Sequence, residues 1–368
     1  QSLGISAPNS IQAKAIPLGL SGRDVLVCAQ TGSGKTFTFL LPILQRLMEF
    51  SNTEGTVSAV ILAPTHQLAQ QVATVARGLL KRSKKAQQIQ LHSDGGDQGA
   101  VTAVGCHLFV GTPTMLSKEI LLPGSDSNIH MLAIDEADLL LCESQVHESY
   151  FDLLNQRRAA EEILTRAKSV QLFLAMAHLT DQREEELLAR FPRIQQVGHT
   201  GVLVPTLRQC FHYFKGGEDA KIAKLLWILA EAEKEELEDQ SGATLIFASS
   251  PSKVDHLQTL LASERPELKI LRLHEECADT DVSECFRTGA AQVLVATDMS
   301  VRGLDFPLIR HVILYDVPVD STAFVHCAGR TARSGNTGLV TCIVEAGNAQ
   351  TNFDGKAIHS LADGPQLC

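Results

Sequence analysis

The 368-residue sequence lacks the features that mark several large classes of protein. No run approaches the roughly 18 apolar residues of a membrane-spanning helix. The nearest run, residues 222–230, is interrupted by Lys224. Low-complexity tracts and short-period repeats are also absent, and the composition is 44% apolar and 20% charged. These values are typical of a globular protein rather than a disordered, collagen-like or disulfide-stapled one, and we expect no membrane partner.

Cysteine is present but is not spaced for a structural role. Nine cysteines are scattered along the chain and no two have the C-x-x-C spacing. Zinc sites and disulfide frameworks use paired spacings, so neither is predicted. We expect buried thiols in a reducing, intracellular compartment. Because the chain begins at Gln1 rather than at methionine, we also expect further residues upstream.

Basic residues are few for a protein that binds nucleic acid. There are 32 Lys and Arg against 42 Asp and Glu, a net charge of −10, whereas nucleic-acid-binding surfaces are usually basic. Residues 1–200 hold 17 basic and 19 acidic residues, a net of −2, and the rest hold 15 and 23, a net of −8. Segment 231–239 alone contributes −5, in a pattern typical of a solvated helix face. The charge therefore excludes a broad basic surface but not a local positive site.

Short β-branched and apolar runs alternate with helical stretches along the whole chain. This alternation predicts an α/β fold with two tandem, doubly wound parallel sheets. The sequence predicts an N-terminal domain at 1–198, a Gly- and Pro-punctuated linker at 199–206 and a C-terminal domain at 207–368. In the first domain we predict helices at 35–50, 67–81 and 182–191 and strands at 24–29, 59–63, 89–92, 108–110, 131–134 and 171–174. In the second domain we predict strands at 209–214, 244–247, 269–273, 292–296, 311–315 and 339–344.

A glycine-rich loop joins the first predicted strand to a helix. Its sequence is Gln30-Thr31-Gly32-Ser33-Gly34-Lys35-Thr36, a P-loop in its expected strand–turn–helix context. The glycines allow successive backbone N–H groups to face a phosphate chain, and the helix N-terminus adds a favourable dipole. We predict that these seven residues bind a nucleoside triphosphate. Lys35 would contact the β- and γ-phosphates, and the Thr36 hydroxyl would bind Mg²⁺.

An acidic string follows another buried strand. The strand at 131–134 ends in Asp135-Glu136-Ala137-Asp138. Open α/β sheets bind their ligands at the carboxyl ends of their strands. We predict that Asp135 binds Mg²⁺ and that Glu136 polarises the attacking water.

These motifs resemble one family throughout most of the chain. Asp135-Glu136-Ala137-Asp138 spells the box that names the DEAD-box RNA helicases, and the resemblance runs from residue 4 to about residue 344. Residues 4–12 resemble the Q motif, 296–305 motif V and 326–335 motif VI. The resemblance implies two RecA-like domains with ATP in the cleft between them, RNA-dependent ATP hydrolysis, and adenine recognition by Gln12.

The resemblance also implies roles for residues of the second domain. Arg330 and Arg333 would be arginine fingers, with Gly303 and Asp305 near the ribose and the γ-phosphate. A guanidinium can bind phosphate oxygens with two parallel hydrogen bonds as charge develops on them. By the same resemblance, RNA would contact Pro64, Thr65, Gly95, Gly96, Thr112, Pro113 and Thr297.

Departures from the family pattern lie away from the nucleotide. At four places the family has arginine, glutamate or hydroxyl side chains that this sequence lacks: Pro64-Thr65-His66-Gln67-Leu68-Ala69, Thr112-Pro113-Thr114-Met115, Ala175-Met176-Ala177 and Cys327. In addition, the family's Gln-x-x-Arg motif has no counterpart in residues 277–285. In the family, the motif replaced by Ala175-Met176-Ala177 links hydrolysis to strand separation. Alanine methyl groups cannot make the hydrogen bonds of the lost hydroxyls. We therefore expect RNA binding to persist, with lower affinity and poorer unwinding.

Three hypotheses follow from the sequence. The first is a monomeric, ATP-dependent RNA helicase or remodeller that closes on single-stranded or structured RNA with low sequence specificity and could be stimulated by protein activators. The second is an ATP-gated RNA clamp or scaffold with weak turnover. The third is a DNA-directed translocase of the same architecture, which the 2′-hydroxyl would distinguish from an RNA enzyme.

Overall fold

The protein folds into two compact units, each built around one parallel sheet. The computed structural model describes residues 7–29, 32–50, 58–81, 86–93, 107–119, 129–141, 151–166, 170–177, 181–198, 206–236, 242–274, 277, 282, 285–286, 288–301, 306, 309–318, 321–333 and 336–346. Within these ranges no helix has the length and hydropathy needed to cross a bilayer. The predicted linker lies almost wholly outside the described residues, and the domain boundaries remain predictions.

The first unit contains seven strands in the order β3-β4-β2-β5-β6-β1-β7 among its described residues. Its strands are β1 Val25–Cys28, β2 Ala59–Leu62, β3 Leu91–Ser93, β4 Leu108–Gly111, β5 Met131–Ile134, β6 Gln171–Met176 and β7 Gln195–Val197. Its helices are α1 Ser10–Leu20, α2 Lys35–Phe50, α3 His66–Leu80, α4 Pro113–Glu119, α5 Ala137–Leu141, α6 Phe151–Arg166 and α7 Asp181–Arg190. All of its strand pairs are parallel, as predicted.

The position of a strand in this sheet decides how buried it is. The central strands β1, β2, β4 and β5 are buried at every residue, because helices cover both faces. The strand predicted at 89–92 is observed at Leu91–Ser93 on the sheet edge, where only Ser93 is buried. This edge strand is therefore less buried than the central strands. The opposite edge strand, β7, was missed because Gln195 and Gln196 break the apolar pattern.

The second unit contains six strands in the order β10-β11-β9-β12-β13-β8 among its described residues. Its strands are β8 Leu207–Phe214, β9 Ala243–Phe247, β10 Ile270–Leu273, β11 Val293–Ala296, β12 Ile309–Leu314 and β13 Gly338–Glu345. The helices in the described part of this unit are α8 Glu218–Glu236, α9 Pro251–Glu264, α10 Asp298–Val301 and α11 Ser321–Ala328. All six predicted strands of this half are confirmed, with ends shifted by up to two residues. Alternate residues of β9 pack on opposite faces, Leu245 in one apolar core and Ile246 in the other, which is the doubly wound arrangement.

Candidate active site

The carboxyl ends of three neighbouring strands bring the main sequence motifs of the first unit together. Strand β6 lies between β5 and β1, with Leu174 in register with Ile134 and Met176 with Cys28. The P-loop follows β1, the acidic string follows β5, and Ala177 follows β6. The register therefore places these three motifs at one edge of the sheet, where parallel sheets bind ligands.

The P-loop backbone has the conformation that its glycines allow. Gly32 and Gly34 have φ angles of +79° and +76°, in the left-handed region that favours glycine. Lys35 begins α2 and is buried, and its ammonium donates a hydrogen bond to the carbonyl of Ala29. The Ser33 hydroxyl is buried and has no hydrogen-bond partner among the described residues. These features fit a loop that encloses a phosphate chain.

Helix α1 binds the P-loop through its first residues. Asn9 and Gln12 form a reciprocal capping box, in which Asn9 Oδ1 accepts from the Gln12 N–H at 2.9 Å and Gln12 Oε1 accepts from the Asn9 N–H at 3.1 Å. The Asn9 side-chain amide then donates to Ser33 O at 2.7 Å, and the Gln12 amide donates to Gly34 O at 3.2 Å. Gln12 is thus fixed against the P-loop and keeps one amide hydrogen for another acceptor. Sequence analysis missed Asn9, although its place three residues before a glutamine at a helix start indicated a capping box.

The acidic string is buried beneath the same edge. Burial and then the charge of Glu136 raise the pKa of Asp135 to about 7, against an opposing effect of Lys35. Asp135 Oδ1 accepts a hydrogen bond from the Glu136 N–H at 3.0 Å. This contact accompanies a left-handed backbone at Glu136, with φ +45°, which is strained for a residue with a side chain. Glu136 Oε2 is buried without a partner among the described residues, so this pair of carboxylates has the chemistry to bind a cation or a polar ligand.

The segment Ala175-Met176-Ala177 is buried between the P-loop strand and the acidic strand. The carbonyl of Met176 accepts a hydrogen bond from the N–H of Ala29, which precedes the P-loop. Its backbone therefore still links the two strands. Ala175 and Ala177 supply methyl groups where the family has hydroxyls.

The first unit's predicted RNA residues lie after β2 and β4, at the same sheet edge. Pro64 is buried, and Thr65 caps α3 by accepting a hydrogen bond from the Leu68 N–H at 3.3 Å. The Thr65 hydroxyl therefore retains its hydrogen for donation to an anion. Thr112 is buried at the start of α4.

The first turn of helix α4 offers few backbone N–H donors to a ligand. Pro113, its first residue, has no N–H, and the Thr114 N–H donates to Gln156 Oε1 at 3.0 Å. The next two N–H groups donate to the Thr112 carbonyl at 3.2 Å. The first-turn donors are thus occupied. Sequence analysis missed Gln156, which lies 42 residues away in the chain, and no local signal identifies it.

Two predicted arginines of the second unit are held by backbone carbonyls. Arg330 is almost fully buried, and its guanidinium donates to His326 O at 3.3 Å and to Val301 O at 3.1 Å. Arg333 is half-buried and donates from Nε to Gly329 O at 3.0 Å. The carbonyls position both guanidinium groups after α11.

Two further positions of the second unit have well-defined contacts. Thr297 is buried before α10, and its hydroxyl oxygen accepts from the Ser300 N–H at 3.3 Å. Cys327 stands where the family has arginine, and its thiol lies 3.4 Å from Asp298 Oδ1 inside the apolar core. Cys327 therefore contributes to the apolar core of the second unit.

Six predicted site residues cannot be placed. They lie outside the described residues and their roles remain predictions: Gln30, Thr31, Gly95, Gly96, Gly303 and Asp305.

Comparisons with known proteins agree with the fold and the motifs. The family model described as DEAD/DEAH box helicase matches residues 9–185, and the model described as helicase conserved C-terminal domain matches residues 220–335. A curated relative, DEAD-box ATP-dependent RNA helicase 35A of Oryza sativa subsp. japonica, is 31% identical over 369 residues, covering 95% of this chain and 55% of the relative. The chain thus spans about half the length of that relative.

Solved structures share the two-unit architecture. The structure of S. cerevisiae Dbp5 bound to RNA and ADP BeF3 matches with a TM-score of 0.79 at 24% identity, covering 100% of this chain and 90% of that one. The structure of Mss116p bound to ssRNA and AMP-PNP matches with a TM-score of 0.74 at 23% identity, covering 94% and 71%. At these identities the matches establish the fold, which is a pair of RecA-like α/β domains.

The first parallel sheet carries a P-loop and an acidic string at one edge, and the second unit contributes Arg330 and Arg333. This combination defines a two-domain P-loop protein of the helicase type. The matched family models cover both halves. The chain belongs to the DEAD-box helicase family, as the sequence motifs indicated.

Proposed function

We propose that this protein is an RNA-dependent ATPase that hydrolyses ATP to ADP and phosphate and remodels RNA as its two units close on it. The observation that carries the proposal is the gathering of Lys35, Asp135 and Glu136 at the carboxyl edge of one sheet. The lysine and both carboxylates are buried there. Family membership supports the same assignment.

ATP binding would begin by replacing contacts within the P-loop. In the structure Lys35 donates to the carbonyl of Ala29, a neutral acceptor. A triphosphate offers charged oxygens, which form stronger hydrogen bonds with an ammonium. We expect the Lys35 side chain to exchange Ala29 for the β- and γ-phosphates. The remaining amide hydrogen of Gln12 would bind the adenine edge.

The residues present fit a Mg²⁺ ion. Burial makes the charge of Asp135 unfavourable, as its raised pKa of about 7 indicates, and a divalent cation would stabilise the ionised carboxylate. Thr36 at the start of α2 and Asp135 would hold the ion, which would neutralise charge on the phosphates. Glu136, whose Oε2 has no partner among the described residues, would orient and deprotonate the attacking water.

Arg330 and Arg333 would stabilise the transition state from the second unit. Charge builds on the phosphoryl oxygens during transfer, and a guanidinium can bind it through two parallel hydrogen bonds. Because the P-loop and the arginines belong to different units, ATP would bind more tightly to the closed arrangement than to the open one. ATP binding would therefore favour closure. Gly303 and Asp305 are proposed to contribute near the ribose and the γ-phosphate.

RNA would bind through its phosphates and 2′-hydroxyls. The hydroxyl of Thr65 can donate to a phosphate while its oxygen caps α3. Thr112 and Thr297, with Pro64, Pro113, Gly95 and Gly96, complete the proposed contact set. Contacts of this kind do not read bases, so low sequence specificity follows. We also propose that the protein is a monomer and that protein activators stimulate it.

A second candidate is an ATP-gated RNA clamp with weak turnover. The burial of Ala175-Met176-Ala177 between the P-loop strand and the acidic strand favours it. Without hydroxyls there, closure would depend on backbone contacts alone. The clamp would bind RNA in the presence of ATP but separate few strands per ATP.

Steady-state ATP hydrolysis measured with and without RNA tests the proposal. We expect single-stranded RNA to raise the rate at least tenfold and single-stranded DNA of the same sequence to have little effect. Equal stimulation by both strands would favour the DNA-directed translocase, because only RNA carries the 2′-hydroxyl. ATP-dependent retention of RNA without stimulated hydrolysis would favour the clamp.

A further inference from the structure

A cluster of nucleophilic and titratable side chains lies at the end of β10 in the second unit. His274 directly follows β10, Cys277 lies three residues further on, and α9 contributes Asp255. Nothing in the proposed ATPase chemistry uses these groups. Among the described residues no group of three or more such side chains is arranged to hold a metal ion.

The side chains of Cys277 and Asp255 both lie within hydrogen-bonding distance of the same nitrogen of His274. Cys277 Sγ lies 2.9 Å from His274 Nε2, and Asp255 Oδ1 lies 3.1 Å from the same atom. Asp255 also accepts from Arg272 Nη1 at 2.6 Å, which places a positive charge beside it. The His274 side chain is only 5% exposed, whereas Cys277 is half-buried and in no disulfide.

The contacts of the shared nitrogen favour one tautomer of His274, with its hydrogen on Nε2. The carboxylate of Asp255 can only accept a hydrogen bond, and this tautomer supplies the donor. His274 Nδ1 is buried without a partner among the described residues, so a hydrogen placed there instead would be unsatisfied. In this tautomer the imidazole N–H also faces the sulfur, and Cys277 Sγ is the acceptor of an N–H···S hydrogen bond.

We propose that Cys277 is a reactive thiol and the principal site of oxidation by hydroperoxides among the described cysteines. A hydrogen bond donated to sulfur stabilises the thiolate, which is the nucleophilic form of cysteine. The thiolate attacks one peroxide oxygen, an S–O bond forms, and the O–O bond breaks. With hydrogen peroxide the products are a sulfenic acid and hydroxide, and the hydroxide combines with the proton that the thiol released on ionising to form water. Sulfur is oxidised by two electrons and the peroxide is reduced by two. A small thiol then converts the sulfenic acid to a mixed disulfide and releases water.

Oxidised Cys277 would lie close to Thr297, a proposed RNA contact. The expected effect of oxidation on RNA-stimulated ATP hydrolysis rests on the proposed function. The Leu273 carbonyl, which precedes His274, accepts from the Thr297 N–H at 3.2 Å and from the Ser300 hydroxyl at 2.8 Å. A bulky mixed disulfide at Cys277 would therefore disturb the segment that positions Thr297. We expect oxidation to lower RNA stimulation of the ATPase while nucleotide binding at the P-loop persists.

Alkylation with iodoacetamide at pH 7, followed by mass mapping of every cysteine, tests the thiol directly. Cys285 is a half-buried cysteine of the same unit and serves as an internal reference in the unmodified protein. We expect Cys277 to react about tenfold faster than Cys285. Equal rates would overturn the proposal, whether or not the protein hydrolyses ATP.

A matched pair of variants tests the hydrogen bond. His274→Leu removes the donor, and His274→Gln keeps an N–H donor at a similar distance along the side chain. We expect the first to reduce the Cys277 rate to that of Cys285 and the second to restore most of it. Far-ultraviolet circular dichroism verifies that each variant is folded. If either variant unfolds, the alkylation rates of Cys277 and Cys285 in the wild-type protein still test the proposal. An unchanged rate in folded His274→Leu would contradict the role of His274.

Hydrogen peroxide followed by dimedone, which traps sulfenic acids, tests the oxidation itself. We expect the first dimedone adduct on Cys277. Earlier or equal labelling at another cysteine would contradict the proposal.

Discussion

The side-chain amide of Gln12 donates a hydrogen bond to the carbonyl of Gly34 across 3.2 Å. The contact joins the first turn of α1 to the P-loop. Gly34 has a φ of +76°, and a Cβ added there would lie 2.5 Å from Gln12 Nε2. Helix α1 and the P-loop are therefore packed so closely that glycine is required at this position, and the residue proposed to bind adenine contacts the loop proposed to bind phosphate directly.

Gly34→Ala should weaken ATP binding strongly. The new methyl group displaces Gln12 and adds a left-handed backbone penalty of about 1 kcal/mol. We expect at least a tenfold rise in the Kd of a fluorescent ATP analogue. Gly78→Ala is the matched control, because Gly78 lies in α3 and a Cβ added there would meet no described atom within 4 Å. The control should leave the Kd unchanged and raise stability by about 0.5–1 kcal/mol. Equal affinity in both variants would contradict the close packing.

Restoring hydroxyls in the Ala175-Met176-Ala177 segment should raise unwinding per ATP. Ala175→Ser with Ala177→Thr returns hydrogen-bonding groups to buried positions between the P-loop and acidic strands. Each new hydroxyl left without a partner should cost about 1–3 kcal/mol of stability. Strand separation and ATP hydrolysis are measured on the same duplex. Ala133→Ser, a buried position of β5, introduces a hydroxyl within the same sheet and should not change the ratio. An unchanged ratio in the double variant would show that coupling does not depend on this segment.

Local spacing predicted the positions of the P-loop and the acidic string better than the contacts that support them. The P-loop and the acidic string are continuous in sequence and end buried apolar strands, so their place at one sheet edge follows from parallel topology. The bond from Gln156 to the Thr114 N–H could not be predicted, because it joins residues 42 positions apart through tertiary packing. Strand β7 was missed because edge strands can be polar. The burial of Arg330 against Val301 and His326 likewise depends on packing after α11.

Gln156 should stabilise the first unit by capping α4. Gln156→Met keeps the length of the side chain and removes the acceptor of the Thr114 N–H. A buried donor without a partner costs about 1–3 kcal/mol, so the midpoint of urea unfolding should fall by a corresponding amount. The exposed Gln88→Met should have an effect below about 0.5 kcal/mol. Matching midpoints for the two variants would show that Gln156 does not contribute through this bond.

The second unit should lose stability in mild acid because of His311. Burial, with a smaller contribution from His212, lowers the pKa of His311 from 6.5 to about 4. As the pH falls from 6.5 to 4, the unfolded chain takes up a proton that the folded chain excludes. Folding stability therefore decreases over this window, by up to about 3 kcal/mol.

Denaturant unfolding at pH 7, 5 and 4 measures this effect. His311→Gln can still bond to the Thr341 hydroxyl, which lies 2.8 Å from His311 Nε2, but does not titrate. We expect it to reduce the loss of stability between pH 7 and pH 4. The exposed His256→Gln should leave the loss unchanged. A profile for His311→Gln that parallels the wild type would assign the acid sensitivity to other groups.

We propose that this chain couples RNA binding to ATP hydrolysis at the sheet edge that holds Lys35, Asp135 and Glu136. The decisive measurement is the RNA-stimulated ATPase rate of the wild type and of Glu136→Gln, which keeps the side-chain shape but removes the proposed base. We expect RNA to stimulate the wild type and the variant to lose about 10²–10⁴-fold in kcat while still binding an ATP analogue. No stimulation of the wild type, together with an undiminished rate in Glu136→Gln, would contradict the account.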